Sequence, residues 1–424
     1  MADSRRICAI LLDTKGPEIR TGRLKDASKP VQLLKNQEFI LTLDENVFGD
    51  SQRVSVGYAG LVKIVKPGQH ILIDDGLIDL VVIETSPTEI KTRVTNNAIL
   101  GSHKGVNLPG VVLDLPAVTQ KDVADLKFGV EMGVDFIAAS FVRKASDIMT
   151  IRKILGTKGQ HIKIIAKIES QEGLDNFASI LQASDGIMVA RGDLGVEIPI
   201  EQVALAQKQL IKACNVAGKF VITATQMLAS MCVNPTPTRA EASDIANAVL
   251  DGTDCVMLSS ETARGKHPVE SVKMMADICR EAESSINHRQ VSQALRDAQS
   301  MQQISVMEAI ARNSVRATFD LNAAVIIVLT ETGTTARLVA KYRPSAAILT
   351  VTSSEQTARQ SLASRGLFPL LVGSMIGSDS LINRVLIAAS RLGMCKTGDL
   401  AVVTSGSREA TAGATNEMKV IEIK

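Results

Sequence analysis

The pattern of apolar and polar positions changes along the chain and marks off distinct zones. Residues 7–12 are all apolar and stop abruptly at Asp13, which is typical of a short buried strand in a parallel sheet. From about residue 22 to 113, short alternating segments are separated by turn signals such as Lys66-Pro67-Gly68, and no helical period of useful length interrupts them. The strands expected there are 31–34, 38–43, 70–73, 77–83 and 90–95. This texture predicts a small all-β module, a compact barrel inserted into another domain.

From residue 115 to about 285, short apolar runs alternate with helical stretches. The predicted strands are 136–141, 162–168, 186–190, 220–224 and 255–258, and the predicted helices are 121–132, 145–155, 174–183, 200–217 and 239–250. Thr238 and Glu241 have the spacing of a capping box that opens the last of these helices. Repeated βα units with buried strands imply a parallel sheet, and the polar residues that end each strand suit the site of a TIM barrel.

The tail, from about residue 299, predicts a separate and smaller α/β domain with an open sheet. A helix is expected at 304–318 and strands at 324–329, 347–351, 400–403 and 420–423, with a helix after each of the first two strands. In the barrel zone, one strand precedes the β module and five follow it. The pattern therefore predicts a TIM-type (β/α)₈ barrel that is two βα units short of closure.

Composition narrows the classes of function. Of the 424 residues, 45% are hydrophobic and 22% are charged, which is ordinary globular usage and argues against extended disorder. A net charge of +2, no Trp and two Tyr argue against a general nucleic-acid or membrane-surface binder. No apolar run approaches the roughly 18 residues that a membrane span needs. The six cysteines form no CxxC pair and predict free buried thiols in a reducing compartment.

The densest chemical signal is the end of the predicted strand 162–168, where Lys167 and Glu169 are two residues apart. Side chains at this spacing point to the same face of a strand. The next strand ends in ARGD (190–193), so Asp193 can meet Glu169 across neighbouring strands. Two carboxylates with room for water suit Mg²⁺, and a lysine beside them suits the neutralisation of a migrating phosphoryl group. The alternative is a buried salt bridge of Lys167 with Glu169 or Asp193.

Glycine and hydroxyl residues at the same strand ends offer further contacts. Gly192 lets the backbone approach a ligand, and its amide can bind a carboxylate where a helix begins; a plain turn glycine is the alternative. Thr225 is placed to hydrogen-bond a substrate or to orient a proton-carrying water. Ser259 and Glu261, at the following strand end, can extend a proton relay. Each hydroxyl taken alone also fits a helix cap.

The first strand and the β module bring polar groups to the same rim. Asp13, Thr14 and Arg20 lie in the segment DTKGPEIR (13–20), and oxygen ligands of the kind that Asp13 and Thr14 carry suit a hard cation. Lys104 lies where the module rejoins the barrel and can reach a nucleotide phosphate when the module closes. A solvated lysine is the alternative. The five histidines include no HxxxH or HExxH pattern, which argues against a zinc site.

In this order and over nearly the whole chain, the motifs resemble the pyruvate kinase family. The segments that carry the resemblance are LDTKGPEIRTG (12–22), KGVNLPG (104–110), KIES (167–170), MVARGDLGVEIP (188–199), TATQML (223–228), PTRAEASDIANAVLDGTD (237–254) and LSSETARGKHP (258–268). The resemblance implies a catalytic (β/α) barrel domain at 1–21 and 114–285, a mobile β-barrel lid domain at 22–113, and a C-terminal α/β regulatory domain at 286–424.

The reaction that the resemblance implies is phosphoryl transfer from phosphoenolpyruvate to ADP, giving pyruvate and ATP in the last step of glycolysis. By the family's pattern, Glu169 and Asp193 hold Mg²⁺ (or Mn²⁺), and Lys167 stabilises the phosphoryl group in flight. The amides of Gly192 and Asp193, with Thr225, hold the substrate carboxylate.

The cation and nucleotide contacts follow from the same resemblance. Asp13 and Thr14 supply ligands to K⁺, and Glu18 matches the glutamate of potassium-dependent members. Arg20 and Lys104 face the nucleotide phosphates. The resemblance further implies a cytoplasmic homotetramer.

The C-terminal domain contains a loop similar to the one that receives a sugar-phosphate effector in regulated members. Its candidate residues are Thr330, Thr332, Gly333, Thr334 and Thr335. Small hydroxyl residues and a glycine before a helix suit phosphate binding. Glu331, in the same loop, is expected to repel that phosphate, and a plain turn is the alternative.

The sequence departs from the family at its beginning. Family members begin with two further βα units, which carry an arginine for the substrate phosphate and an asparagine and a serine for the potassium site. The sequence has no counterpart of that stretch, so we expect a barrel that lacks its first two βα units and has open strand edges, as in a truncated gene product, a splice variant or a fragment. Ser260 also stands where the family has the glycine of LSGET.

Two other functions are compatible with these residues. The first is a Mg²⁺-dependent lyase or aldolase that makes a pyruvate enolate in a similar barrel, since it shares the Glu169 and Asp193 pair but needs neither a β lid nor a nucleotide lysine. The second is a non-catalytic, partner-dependent or unstable product, because two barrel strands are expected to be absent.

Overall fold

The computed structural model describes residues 7–111, 116–299, 303–408 and 411–424. The first strand of the chain, Leu11–Asp13 (β1), is short. It contains only the last two residues of the apolar run 7–12 and the aspartate that follows the run. The predicted boundary between the β module and the barrel zone, at residues 113 and 114, lies outside the described residues.

Among the described residues, the β module contains nine strands and one helical turn, and the first of these strands lies just before the predicted start of the module at residue 22. The strands are Ile19–Arg20 (β2), Val31–Leu33 (β3), Glu38–Thr42 (β4), Arg53–Ser55 (β5), His70–Ile73 (β6), Ile78–Thr85 (β7), Glu89–Val94 (β8), Ala98–Leu100 (β9) and Gly105–Asn107 (β10), and the turn is Leu61–Ile64 (α1). All five predicted strands are present within two residues. The module is expected from its sequence to contain no helix, and this expectation is wrong because of the single helical turn α1.

Seven of the module's strands form one sheet, in the order β2-β10-β6-β7-β8-β4-β5. A further bridge between Thr21 and Val56 connects the two edges of this sheet, so the sheet closes on itself. Its interior is an apolar cluster in which Phe39, Ile73 and Leu80 are fully buried. The module therefore has a hydrophobic core of its own.

The barrel zone after the module alternates strands and helices. The strands are Phe136–Ala139 (β11), Lys163–Ile168 (β12), Gly186–Ala190 (β13), Phe220–Ala224 (β14) and Cys255–Met257 (β15). The helices are Gln120–Met132 (α2), Ala145–Leu155 (α3), Gln171–Asp175 (α4), Phe177–Ala183 (α5), Arg191–Glu197 (α6), Ile200–Ala217 (α7), Arg239–Asp251 (α8), Ser260–Ala263 (α9), Pro268–Ser284 (α10) and His288–Asp297 (α11).

Most of these elements match the sequence prediction, including the capping box of Thr238 and Glu241 at the start of α8. The predicted helix 174–183 is wrong in one respect, because two helices, α4 and α5, take its place. Asn176 ends the first and precedes the second with a ψ of 8°, which breaks the helical path.

Six strands form the central parallel sheet, in the order β1-β11-β12-β13-β14-β15. The inner four strands are almost fully buried, because helices cover one face and a second apolar cluster, which includes Phe136, Met188 and Phe220, covers the other. The edge strands β1 and β15 are only half-buried along most of their length. Within the described ranges, no strand joins these two edges.

Beyond α11, which also lies within the predicted bounds 286–424, the C-terminal domain has five strands and four helices among the described residues. The helices are Val306–Leu321 (α12), Thr334–Lys341 (α13), Glu355–Ser361 (α14) and Ser378–Arg391 (α15), and the strands are Val325–Leu329 (β16), Ala347–Thr352 (β17), Leu367–Leu371 (β18), Leu400–Gly406 (β19) and Thr415–Glu422 (β20). The strand order is β18-β17-β16-β19-β20, and β20 alone runs antiparallel to its neighbour. Strand β18 and helix α15 are additions to the predicted elements.

The amino ends of the barrel strands carry three aspartates that follow one pattern. Asp135, Asp185 and Asp254 each stand immediately before a strand, and each accepts a backbone N–H from the neighbouring strand region, at 2.9 Å from Ile10, 2.8 Å from Ile164 and 3.0 Å from Val221. Two arginines of the C-terminal domain bind this row: Arg359 Nε lies 2.9 Å from Asp135 Oδ1, and Arg343 Nη1 lies 2.8 Å from Asp254 Oδ1. The C-terminal domain is thus attached at the amino ends of the strands.

All six cysteines are free thiols, as predicted, but the expectation that they are buried is wrong for Cys8, which is exposed, and holds fully only for Cys214 and Cys395. Burial raises the pKa of the Cys255 thiol to about 12, so this thiol is protonated and unreactive at neutral pH. A search of the described helices for one long and apolar enough to cross a bilayer finds none.

Candidate functional site

Lys167 stands at the centre of a polar cluster at the carboxyl end of β12. Its ammonium Nζ lies 2.7 Å from Ser140 Oγ, 3.1 Å from Glu169 Oε1 and 3.2 Å from Asp13 Oδ1. Burial lowers the pKa of this lysine, but the attraction of Glu169 and Asp13 outweighs burial, so the pKa is raised above its ordinary value. The side chain is 13% exposed, and its ammonium group stays protonated at neutral pH at the carboxyl ends of the strands.

The carboxyl ends of β1 and β11 supply the neighbours of this lysine. Ser140 Oγ donates to the carbonyl oxygen of Thr14 at 2.7 Å and lies 3.2 Å from Asp13 Oδ1. The Thr14 hydroxyl in turn accepts the N–H of Ser140 at 3.1 Å. These bonds hold Asp13 and Thr14 beside Lys167, as the parallel register of β1 and β11 requires, since Asp13 is paired with Ala138.

Glu169 follows β12 directly and is 1% exposed. Its Oε2 accepts the N–H of Phe141 at 2.5 Å. Phe141 is in the left-handed region of backbone conformation, with a φ of 53°. Burial raises the pKa of Glu169 to about 7, and repulsion from Asp193 adds to this, although Lys167 and the Phe141 N–H oppose it. The negative charge of this carboxylate is therefore not fully balanced by the positive charge and hydrogen-bond donors around it.

Asp193 lies in the first turn of α6, at the end of the neighbouring strand β13. Burial raises the pKa of Asp193, and the negative charges of Asp75 and Glu18 raise it further against the attraction of Lys167. The carboxyl groups of Asp193 and Glu169 are close enough to share a hydrogen bond when one is protonated. A buried and a half-buried carboxylate that one lysine compensates only in part are a donor set that fits a divalent cation with a preference for oxygen.

The number of acidic ligands is small. Within the described ranges, no group of three or more His, Cys, Asp or Glu side chains has the geometry to enclose a metal ion. Mg²⁺ keeps several waters and is held in proteins by one or two carboxylates together with substrate oxygens. The pair of Glu169 and Asp193 therefore suits Mg²⁺ and does not suit a metal that needs a full protein cage.

Gly192 and Thr225 meet at the ends of β13 and β14. A Cβ on Gly192 would lie 2.7 Å from Thr225 Cγ2, so only glycine permits this approach. Thr225 has a φ of 78° and is half-buried. The two residues thus form one wall next to Asp193.

Glu261 and Ser259 lie at the end of β15, the last strand of the sheet. Glu261 is 2% exposed, and its two oxygens accept the N–H of Leu228 at 2.9 Å and the N–H of Ser259 at 2.8 Å. These bonds connect the loop after β14 to the loop after β15. Glu261 therefore holds the two loops in place relative to each other. The proton-relay role of Ser259 and Glu261 stays a prediction.

The β module contributes side chains to the same end of the central sheet from the turn between β6 and β7 and from its last strand, β10, and the residue before it. Lys104 Nζ lies 3.0 Å from Asp74, the residue before Asp75, and Arg20 Nε lies 2.6 Å from Glu18 Oε2. Asn107 Nδ2 also donates to Glu197 Oε1 of helix α6 at 3.2 Å. The two predicted nucleotide contacts therefore stand in ion pairs near the acidic residues that face Asp193.

The predicted effector loop lies in the C-terminal domain, between β16 and α13. It borders a cavity of about 330 Å³ that Glu331, Arg408 and Gly413 also line. Gly333 has a φ of 77° and donates its N–H to the hydroxyl of Thr330 at 3.1 Å. The four threonines of the loop therefore line one cavity, with one acidic and one basic side chain among the lining residues, and Gly333 lies between them in the chain.

The structure brings Lys167, Glu169, Asp193, Asp13 and Thr14 together, as the strand-end argument predicts. Two further residues of this region escaped the sequence analysis, Ser140 and Arg191. Ser140 ends β11 in the same way that Glu169 ends β12, so the rule that found Lys167 would also have found it. Arg191 follows β13 directly and meets the same rule, but nothing local indicates its partners, because they belong to the next strand and to helices α7 and α8.

Two family models match the chain. The model described as the pyruvate kinase barrel domain matches residues 1–272, and the model described as the pyruvate kinase alpha/beta domain matches residues 308–421. The two matches together cover the central sheet, the β module and most of the C-terminal domain.

Individual relatives extend this similarity over the whole chain. The chain is 52% identical to the pyruvate kinase of Dictyostelium discoideum over 428 residues, which cover 100% of this chain and 84% of that protein. It is 52% identical to the pyruvate kinase of Eimeria tenella, over 98% of this chain and 78% of that protein. It is 51% identical to human pyruvate kinase PKLR, over 99% of this chain and 74% of that protein.

Proposed function

Because the chain belongs to the pyruvate kinase family, we propose that the cluster around Lys167 carries out the family's reaction, transfer of a phosphoryl group from phosphoenolpyruvate to ADP. The observation that carries this assignment is the convergence of Lys167, Glu169 and Asp193 at the carboxyl ends of β12 and β13. In the reaction, the phosphoryl group leaves the enol oxygen and bonds to an oxygen of the ADP β-phosphate. The remaining enolate gains a proton at its methylene carbon and becomes pyruvate.

Glu169 and Asp193 are the proposed ligands of Mg²⁺ (or Mn²⁺). The support is their raised pKa values, which reflect a buried and a half-buried carboxylate with too little positive charge beside them. When bound, the cation supplies positive charge to the phosphoryl oxygens that bear the negative charge of the transition state. The protein's part is to hold both carboxylates rigidly, which the Phe141 N–H does for Glu169.

Lys167 is proposed to stabilise the phosphoryl group as it moves. Its ammonium group is fixed by Ser140 and Asp13 before any substrate arrives, so little reorganisation is needed during the reaction. The amides of Gly192 and Asp193, at the start of α6, and the Thr225 hydroxyl are proposed to bind the substrate carboxylate. We propose that Thr225 and Ser259 orient the water that delivers the final proton, and that Glu261 holds their loops.

The remaining assignments concern the cation and nucleotide contacts. Asp13 and Thr14 are proposed to give oxygen ligands to K⁺, with the rest of its shell coming from water and substrate. Arg20 and Lys104 are proposed to leave their partners Glu18 and Asp74 and to bind the phosphates of ADP when the β module closes as a lid. Such a closure excludes water that would otherwise compete with ADP for the phosphoryl group.

The six-stranded sheet is proposed to be the larger part of a TIM-type (β/α)₈ barrel. The support is its parallel strand order, its apolar interior and the chemistry at the carboxyl ends of its strands. The half-buried edges β1 and β15 are where two further βα units would complete such a barrel. A cytoplasmic homotetramer is the proposed assembly and location, on the resemblance to the family.

The test is an assay of pyruvate formation by the whole chain from phosphoenolpyruvate and ADP. We expect activity that needs Mg²⁺, is lost when a chelator removes it, and falls when Na⁺ replaces K⁺. Cleavage of a keto acid without ADP would favour a lyase or aldolase instead. A protein that melts cooperatively but forms no pyruvate under these conditions would contradict the proposed activity.

We further propose that the loop of Thr330, Thr332, Gly333, Thr334 and Thr335 receives the phosphate of an effector. The support is the N-terminus of α13, which begins directly after the left-handed Gly333, and the hydroxyls that line the cavity. Glu331 weakens the binding of such a ligand, because its negatively charged carboxylate lines the cavity in which the phosphate would bind.

Replacement of Glu331 by lysine is expected to tighten binding of fructose bisphosphate about tenfold at low ionic strength, because one charge changes sign beside the phosphate. Calorimetric titration measures this, and the gain should shrink at high salt. Glu355→Lys is the matched control, since this exposed glutamate of α14 does not line the cavity. Equal gains in both variants would contradict a phosphate site at this loop.

A further inference from the structure

Arg191 connects two neighbouring strand ends of the site. It follows β13 directly and opens α6, and its side chain is 13% exposed. Its guanidinium does not point at the Lys167 cluster. It reaches the next strand instead, where Nη2 donates to the carbonyl oxygen of Thr225 at 2.7 Å and Nε donates to the carbonyl oxygen of Ala224 at 3.3 Å.

The main chain that Arg191 holds is strained. Thr225 and Gln226 have φ angles of 78° and 55°, so two consecutive residues other than glycine occupy the left-handed region. A β-branched residue such as Thr225 is especially unfavourable there, and such a conformation persists only where its surroundings enforce it. The carbonyl groups of Ala224 and Thr225 stand where β14 ends, and Arg191 gives them the hydrogen-bond partners that backbone groups need at a strand end.

The guanidinium is itself held by two helices. Arg191 Nη1 lies 2.8 Å from Asp244 Oδ1 and Nη2 lies 2.7 Å from Asp244 Oδ2, which is a bidentate pair with helix α8. Nη1 also donates to Gln207 Oε1 of helix α7 at 3.3 Å, and Gln207 is 3% exposed. The planar group is thus oriented from outside the site before it binds the bend.

Resting on the function proposed above, we propose that Arg191 is a positioning residue for phosphoryl transfer, which holds Thr225 against Gly192 so that the Thr225 hydroxyl meets the carboxylate end of the substrate. Thr225 Cγ2 lies 2.7 Å from the position that a Cβ on Gly192 would take, so the two residues pack closely and the height of the bend sets their approach. Arg191 itself touches neither the phosphoryl group nor the nucleotide. Its effect passes through Thr225 alone.

The first readout separates the two substrates. We expect Arg191→Gln to lower kcat/KM for phosphoenolpyruvate about 100-fold, because a displacement of about 1 Å in a substrate contact has a cost of this order. The KM for ADP should stay within about twofold, since Thr225 lies on the enol side of the site. Arg191→Lys should lose about tenfold, because an ammonium group cannot form the planar fork that holds two carbonyl groups and Asp244 together.

The second readout is a double-mutant cycle with Thr225→Ala. If Arg191 acts through Thr225, Arg191→Gln should cost less than about threefold in the Thr225→Ala protein, since residues that act as a unit are not additive. Equal fold losses in both backgrounds would overturn the proposal, as would a parallel rise in the KM for ADP. Should Arg191→Gln fail to fold, Arg191→Lys and Asp244→Asn carry the same two readouts.

Lys208→Gln is the matched control. Lys208 pairs with Asp251 across the same helices, α7 and α8, but contacts neither Ala224 nor Thr225, so its loss should leave the kinetics of both substrates unchanged. A wild-type chain that folds but forms no pyruvate contradicts the proposed function and removes this inference with it. An active wild type with additive variants overturns the positioning role alone.

Discussion

Replacement of Lys167 by methionine is expected to lower kcat about 10⁴-fold, in the range found when a cation that neutralises a migrating phosphoryl group is removed. Methionine retains the length and most of the volume of the side chain but has no charge. The loss should appear in kcat, because this contact strengthens in the transition state. Steady-state kinetics with phosphoenolpyruvate and ADP measure it.

Lys163→Met is the control for this experiment. Lys163 lies on the same strand, β12, but at its amino end, where it faces Asp185 at 3.9 Å. We expect this variant to keep wild-type turnover. An active Lys167→Met protein would contradict the role assigned to Lys167, whereas two inactive but folded variants would indicate damage to β12 and not a loss of chemistry.

Replacement of Glu169 by glutamine is expected to lower activity at ordinary Mg²⁺ concentrations about 10³-fold, because the charge stabilisation that a bound metal supplies amounts to several kcal/mol. Glutamine retains an oxygen that can accept the Phe141 N–H, so the fold should persist. Titration of activity with Mg²⁺ measures the effect. Glu172→Gln, three residues further on and paired with Lys144, should show none.

The wild-type protein should also show a pH dependence that this variant lacks. Since the pKa of Glu169 is about 7 without metal, the carboxyl is protonated below that pH and must lose its proton to bind Mg²⁺. The apparent affinity for Mg²⁺ should therefore weaken as the pH falls through 7, and it should level off above it. An affinity that is flat from acid to neutral pH would contradict Glu169 as a ligand.

The sequence predicted which polar residues share a strand end better than it predicted the contacts between them. The two-residue spacing of Lys167 and Glu169 places both at one strand end, and the structure agrees. Nothing local indicates that Lys167 meets Asp13, 154 positions earlier in the chain, because this contact depends on the register of three strands. The same limit hid Arg191, whose partners are set by the packing of α7 and α8.

The sequence missed several short strands as well as whole helices such as α10 and α15. Arg53–Ser55 and Gly105–Asn107 have only three residues each and exist because neighbouring strands pair with them. Leu367–Leu371 contains Pro369, which argues against a strand by local rules. It is an edge strand in the structure, where a missing N–H is tolerated.

The row of aspartates at the amino ends of the barrel strands joins different strands to different parts of the protein. Asp135 and Asp254 fasten the C-terminal domain at one end of the sheet, while Lys167 and Glu169 work at the other. Strands β11 and β15 therefore each connect a contact with the C-terminal domain at the amino end to a polar residue of the site at the carboxyl end, Ser140 after β11 and Ser259 after β15. Asp185, which accepts the N–H of Ile164 in β12, pairs instead with Arg152 of α3, so the strand of Lys167 has its amino end fastened within the barrel zone itself.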